Sequence, residues 1–245
     1  MPPTDDWFDE DIATMDLSYA EKSGLQIYRN YTKSFENRAI ENFRDMLSRE
    51  PLDLSHLSRL LTIISNEDTR FLPVIVCGYA DDLLKDAFLN TLPKEIPGGV
   101  DAMLGGYGPL SDLSKRIRMA FAFDVISKDL ATELDRVREV RNRISHDWDI
   151  KPAATLLAHP KLAAMFPIEN ELIDNGKNGD PPNPDSIFRL RLIWLSGRLT
   201  YEAAAYHRAK GARLSPTRAL YENGGTTWLT AVSNACMTAT KQLVA

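Results

Sequence analysis

Apolar residues along this chain recur at three- and four-residue steps rather than in strict alternation, so the pattern predicts helices and no strands. Residues 18–49 read as a long first helix, with Leu25, Ile27, Tyr28, Phe35, Ile40, Phe43 and Met46 at mixed three- and four-residue steps. Pro51 ends it, because proline has no N–H to donate and its ring clashes with the preceding turn. Asp53 stands where it can cap a second helix through Leu57, Leu60, Leu61 and Ile64. Asp68 or Thr69 caps a third, from about residue 71 to residue 92. Its Val74-Ile75-Val76 run alone would suit a buried strand. The long continuation through Leu89 favours a helix, with Pro73 tolerated in the first turn.

Pro93, Pro97, Gly98 and Gly99 mark a loop, and Leu104-Gly105-Gly106-Tyr107-Gly108-Pro109-Leu110 opens a turn. No strand precedes these glycines and no Gly-Lys-Ser/Thr follows them, so they do not form a phosphate-cradling loop. Ser111 or Asp112 caps a helix of Leu113, Ile117, Ala120, Phe121 and Val125. Ser127 caps the next, from Lys128 to about Trp148, whose apolar stripe is Leu130, Leu134, Val137, Val140 and Ile144. A shorter helix is expected near 153–165 and a loop over 174–185. After it comes a long helix over 186–210, rich in Leu, Ile, Trp and Tyr. A last amphipathic stretch, 227–243, should pack back on the body. No repeat of fixed period is present. The expected fold is all-α, a single helical domain of about seven to eight helices.

The 245 residues, 44% apolar and 26% charged, suffice for one large domain with a full hydrophobic core. The reading divides them into an acidic arm over 1–17, a helical domain over 18–210 and a C-terminal extension over 211–245. Lys and Arg total 29 against 34 Asp and Glu, a formal net charge of −5, which excludes the basic character of a simple DNA-coating protein. The charge is uneven. Residues 1–21 hold seven acids and no bases, so the other 224 residues carry 29 bases and 27 acids and are close to neutral. The acidic arm, with Trp7 and Phe8 in it, reads either as a solvated, frayed segment or as one that docks on a basic surface. Two cysteines rule out a disulfide framework and a four-cysteine zinc site. Cys77 reads as core and Cys236 as half-buried. His56, His159 and His207 lack metal-ligand spacing, so neither a metal nor another cofactor is expected. No apolar run approaches the ~20 residues of a membrane span. The first residues lack the order of a signal peptide, which makes a cytoplasmic location the expectation.

One stretch is distinctive. Gly108-Pro109-Leu110-Ser111-Asp112-Leu113-Ser114-Lys115-Arg116-Ile117-Arg118-Met119 leads through Val125-Ile126 to Leu134 and then to Val137-Arg138-Glu139-Val140-Arg141-Asn142-Arg143-Ile144-Ser145-His146. With Ser34-Phe35-Glu36-Asn37-Arg38-Ala39-Ile40 upstream, it resembles the mannitol operon repressor (MltR-like) family over roughly residues 34–210. The resemblance implies an all-helical protein and repression of a carbon-utilisation operon. Direct operator reading needs Arg, Lys, Asn or Gln on an element that enters a groove. No basic recognition helix stands near a terminus, so sequence-specific DNA binding is not expected. The implied regulator acts through protein contacts, on a transcription factor or another partner, as a homodimer.

The same helix carries a second resemblance. Arg141-Asn142-Arg143-Ile144-Ser145-His146 is similar to the Arg-polar-x-x-x-His motif of the HEPN superfamily, many of whose members are metal-independent ribonucleases. This implies candidate catalytic residues Arg141, Asn142 and His146, with RNA as the partner. Imidazole exchanges a proton near neutral pH, guanidinium braces a crowded phosphate, and the Asn142 amide can orient either group. A catalytically inactive RNA- or protein-binding scaffold is the third reading.

Helix geometry places these residues. At about 100° per residue with Val137 as origin, Arg138 falls at about 100°, Asn142 at about 140° and His146 at about 180°. His146 thus stands opposite the apolar stripe, which argues against a core role in its own subunit. Helix-terminal capping or a relic of a nuclease ancestor remain structural readings. Lys115, Arg116, Arg118, Lys128, Arg136, Arg138, Arg141 and Arg143 cluster between residues 115 and 143, with five acids interspersed and Asp112 just before them. Lys115, Arg116, Arg118, Arg138 and Arg143 are candidates for binding phosphate or a partner, against surface ion pairing worth little per pair. The acidic arm could shield that cluster.

Overall fold

The computed structural model describes residues 7–146, 183–211 and 226–244, with side chains described as far as Ser145 and Tyr206 and from Trp228 to Leu243. Among the described residues the chain is all-helical, with nine helices and no strand. They are α1 (Glu10–Ala13), α2 (Tyr19–Arg49), α3 (Ser55–Asn66), α4 (Leu72–Thr91), α5 (Gly99–Leu104), α6 (Leu113–Ala122), α7 (Lys128–His146), α8 (Pro184–Gly211) and α9 (Thr226–Val244). The helix expected near 153–165 and all but the last three residues of the loop expected over 174–185 lie outside the described residues; α8 begins at Pro184, inside that loop's expected end. No described helix is long and apolar enough to cross a membrane.

Local signals set most boundaries. Ser18 starts α2 with a reciprocal capping box. Its hydroxyl accepts from the Glu21 N–H, and the Glu21 carboxylate accepts from the Ser18 N–H at 2.8 Å. Pro73 sits in the first turn of α4, where its missing N–H costs nothing. Asp112 caps α6 by accepting from the Lys115 N–H at 3.0 Å. Asp53 and Asp68 act one step earlier than expected. They accept from the N–H groups of Ser55 and Arg70, two residues on, so each folds the turn ahead of its helix.

α8 occupies the centre. It packs against α9, α4, α3, α2 and α7, which explains its apolar residues on every side. Phe188, Leu192, Ile193, Leu199 and Tyr201 are all buried. α9 lies along it, and Gly197 makes that approach close. A Cβ there would collide with the Cys236 Sγ and meet the Val232 Cγ1 at 3.1 Å. Cys236 is therefore fully buried rather than half-buried.

Two further expectations are corrected. α6 stops at Ala122, because Asp124 takes a positive φ of 60° and the chain turns. Val125 and Ile126 are buried in the link instead of continuing the stripe, and Phe121 is half exposed. The glycine-rich stretch holds the short α5. Gly108 is pressed onto its end, where a Cβ would collide with the carbonyl oxygens of Ala102 and Met103.

The acidic arm from Trp7 onward is docked, not frayed. Asp9 and Asp11 bind the Arg29 guanidinium at 2.9 Å and 2.6 Å, Lys33 reaches Asp9 at 3.1 Å, and the Asp9 N–H donates to Gln26 at 2.7 Å. Phe8 is buried, edge-on to Tyr19 at 5.5 Å. The basic surface it uses belongs to α2, so the described part of the arm does not shield the cluster on α6 and α7.

Candidate functional site

The face of α4 that carries Val74, Cys77, Gly78 and Asp81 meets the first turn of α6 and the middle of α7. Between them lies an open cleft of about 620 Å³, lined also by Ser111, Asp112, Ser114, Arg138 and Arg141. The most distinctive sequence motif and the Arg-Asn-x-x-x-His helix therefore share one cleft, although about 25 residues separate them along the chain.

α7 positions its arginines by packing the adjoining apolar face: at about 100° per residue Arg138 flanks the stripe and Arg141, at about 40° from Val137, stands at its edge. Leu130, Leu134, Val137, Val140 and Ile144 are all buried, as the stripe requires. The Ser127 hydroxyl caps the helix, accepting from the Leu130 N–H at 3.4 Å. Glu202 of α8 fixes that cap from outside. Fully buried, it accepts from the Ser127 N–H at 2.7 Å and from Arg198 at 2.8 Å. On the cleft side, the Asn142 side-chain oxygen accepts two bonds from the Arg141 guanidinium, at 3.2 Å and 2.9 Å. Arg141 is thus held by its neighbour while still lining the cleft. Arg138 pairs with Asp135 at 3.0 Å. His146 closes α7, and its side chain lies outside the described set.

The other predicted basic residues are dispersed. Lys115 folds back on its own helix start, donating to the Ser111 hydroxyl at 2.8 Å and pairing with Asp112 at 3.3 Å. Arg116 is not on an open face. Its side chain is 5% exposed, ion-paired with Asp81 and bonded to the Leu104 carbonyl at 3.1 Å. Its assignment to phosphate or partner binding is corrected to an internal tie among α4, α5 and α6. Arg118 and Arg143 are exposed, and Arg143 has an interaction partner within the chain.

Asp81 is this site's unforeseen member. A signal was present. Val74, Cys77, Gly78 and Asp81 stand at i, i+3, i+4 and i+7, so the acid shares one face of α4 with the buried Cys77. Cys77 is no nucleophile at neutral pH. Burial pushes its thiol up to about 11, against the opposing pull of Arg141 and Arg138. Asp112 is held below its ordinary value, first by the Lys115 N–H and then by the Lys115 ammonium. The cleft therefore presents two guanidinium groups and a helix start, with two carboxylates beside them. That arrangement can orient an anionic group weakly. Among the described residues no group of three His, Cys, Asp or Glu could hold a metal ion.

Compared with known families, curated proteins and solved structures, the chain has no match in any of the three. The two resemblances rest on the quoted residues.

Proposed function

We propose that this chain is a regulatory protein of the MltR-like kind, a repressor or co-regulator that acts mainly through protein contacts. One observation carries the reading. The basic cluster that could have met a polyanion is largely engaged within the fold, with Lys115, Arg116 and Arg138 paired to Asp112, Asp81 and Asp135. Affinity for nucleic acid comes chiefly from cations that neutralise phosphates, and a paired cation contributes little to it. The test is transcript profiling of cells lacking the protein, complemented with wild type or with Arg141→Ala. The reading expects a small set of operons to change, full complementation by Arg141→Ala, and no binding of those promoters by the purified protein. Saturable promoter binding by the protein alone contradicts it.

A second reading has its own support. The Asn142 clamp on Arg141, beside an open cleft, suits a HEPN-type metal-independent ribonuclease. There the RNA 2′-hydroxyl attacks the adjacent phosphorus and the 5′-oxygen leaves, producing a cyclic phosphate and a free 5′-hydroxyl. His146 would move the proton and Arg141 would brace the phosphate. Incubating total RNA with chelator and wild type, Arg141→Ala or His146→Ala tests it. Cleavage lost in both variants supports this reading, and intact RNA in all three removes it.

A further inference from the structure

The first half of α2 stands apart from the body. Between Tyr19 and Asn42 only Gln26 is buried, and it lies under the docked arm. The core holds α2 by its far end, through Phe43 and Leu47. Yet this exposed half carries large apolar side chains. Tyr28 is 70% exposed, Tyr31 64%, Phe35 52% and Leu25 41%. At about 100° per residue, Leu25, Tyr28, Tyr31, Thr32 and Phe35 fall within an arc of about 120°. Gln26, Arg29 and Lys33, which hold the arm, lie on the other side. The two faces of this half-helix therefore do different things: one binds the arm, and the other is an apolar ridge with no cover among the described residues. Scattered exposed apolar residues are ordinary, whereas a contiguous ridge marks an interface.

We propose that the ridge pairs with the same ridge of a second copy, the two α2 helices running antiparallel. Three features select that occupant. The ridge is symmetric about its middle. An antiparallel copy with residue numbers adding to about 60 sets Leu25 against Phe35 and Tyr28 against Tyr31 and Thr32, as a two-fold interface requires. Its ends are oppositely charged, with Glu21 before Leu25 and Arg38 after Phe35. An antiparallel copy brings Glu21 beside Arg38 at both ends, whereas a parallel copy stacks like charges. The size also fits. At about 200 Å² per aromatic side chain, scaled by these exposures and with Leu25 added, the ridge offers about 400 Å² of apolar area per copy, the apolar centre of an interface whose polar flanks bring it towards the ~800 Å² per partner of a stable pair. The surface is also ordered in advance. Tyr31 and Phe35 already meet edge-on at 4.7 Å, the Arg38 guanidinium lies 6.0 Å from the Phe35 ring, and the Thr32 hydroxyl is satisfied by the Tyr28 carbonyl.

Sedimentation equilibrium of the full chain tests the pairing. Wild type is expected as a dimer at micromolar concentration. Tyr28→Glu and Phe35→Glu, each at a solvent-exposed position, should keep the helical circular dichroism and weaken the dimer at least 100-fold. Glu21→Arg and Arg38→Glu should each weaken it about tenfold, and combining them should restore it, because the charge pair is reversed across the interface. Glu21 also caps its own helix, which Arg38 does not touch, so rescue by the second change reports the contact between copies. A monomeric wild type overturns the proposal. So does a dimer indifferent to Tyr28→Glu and Phe35→Glu, or a failure of the double reversal to recover.

Discussion

Removing Asp81 strands the Arg116 guanidinium. The Arg116 side chain is 5% exposed and makes two contacts, the Asp81 carboxylate and the Leu104 carbonyl. Its Nε is buried without a partner. Asp81→Ala leaves a buried cation with one neutral acceptor. Breaking a fully buried pair from one side costs about 3–5 kcal/mol. Asp81 is 37% exposed, so water screens the pair and the expected loss is about 2–3 kcal/mol. Arg116→Met acts differently. Methionine fills the space of the arginine stem, Asp81 rehydrates, and the Leu104 carbonyl loses a donor, for a total of about 1–2 kcal/mol. The double substitution should cost no more than Arg116→Met alone. Urea unfolding followed by circular dichroism reads all three variants, as midpoint shifts at constant slope. An Arg116→Met loss equal to or above that of Asp81→Ala refutes the reasoning, as does additivity in the double variant. Were Arg116 a phosphate-binding residue on an open face, Asp81→Ala would be close to neutral.

Three further outcomes follow from other contacts. Arg29 holds the Asp11 carboxyl down to about 2 and Asp9 below its ordinary value, so arm docking is fully present above the unfolded value of 3.8 and is lost as pH falls from there towards about 2. Protection factors of the Ile12 and Ala13 amides, each referred to the intrinsic exchange rate at that pH, should fall over that window and stay constant between pH 5 and 8. Glu202→Ala removes the carboxylate that accepts from the Ser127 N–H and from the Arg198 Nε–H and should lower stability by about 3 kcal/mol, against about 1 kcal/mol for the exposed Glu139→Ala. Thermal unfolding compares them. Gly197→Ala should cost about 1–2 kcal/mol despite alanine's higher helix propensity, because its methyl meets Cys236. Restoration by Gly197→Ala with Cys236→Ala checks the cause.

Much of the fold was legible because helices are local. The α7 stripe, its Ser127 cap, the Pro73 start of α4 and the Asp112 cap of α6 each need only residues within a turn or two. What was not legible depended on distant partners. Phe121 and Val125 look like a continuing stripe, and only the turn at Asp124 shows that α6 has ended. Gly98 and Gly99 read as loop, yet α5 begins there because Gly98 supplies a φ of 85° at its start. Arg116 was counted among surface bases. Its position, three residues after Leu113 and beside Ile117, put it on the apolar face of α6, where a charge requires a partner. That partner lies 35 residues earlier on another helix. The arm shows the opposite case. Its acids were plain in the sequence, and so were Arg29 and Lys33 on the far side of α2 from the aromatic ridge. Joining them required knowing that the arm doubles back.

The claim that the chain's cations serve its own fold is tested most directly by fluorescence anisotropy with a mixed-sequence RNA and a duplex DNA, near physiological salt and with chelator present. The account predicts binding no tighter than the weak end of non-specific association, about 10⁻⁴ M, unchanged by Arg141→Ala, with both probes intact. Tight, salt-dependent binding of RNA lost in Arg141→Ala, or cleavage of the RNA probe, would contradict it.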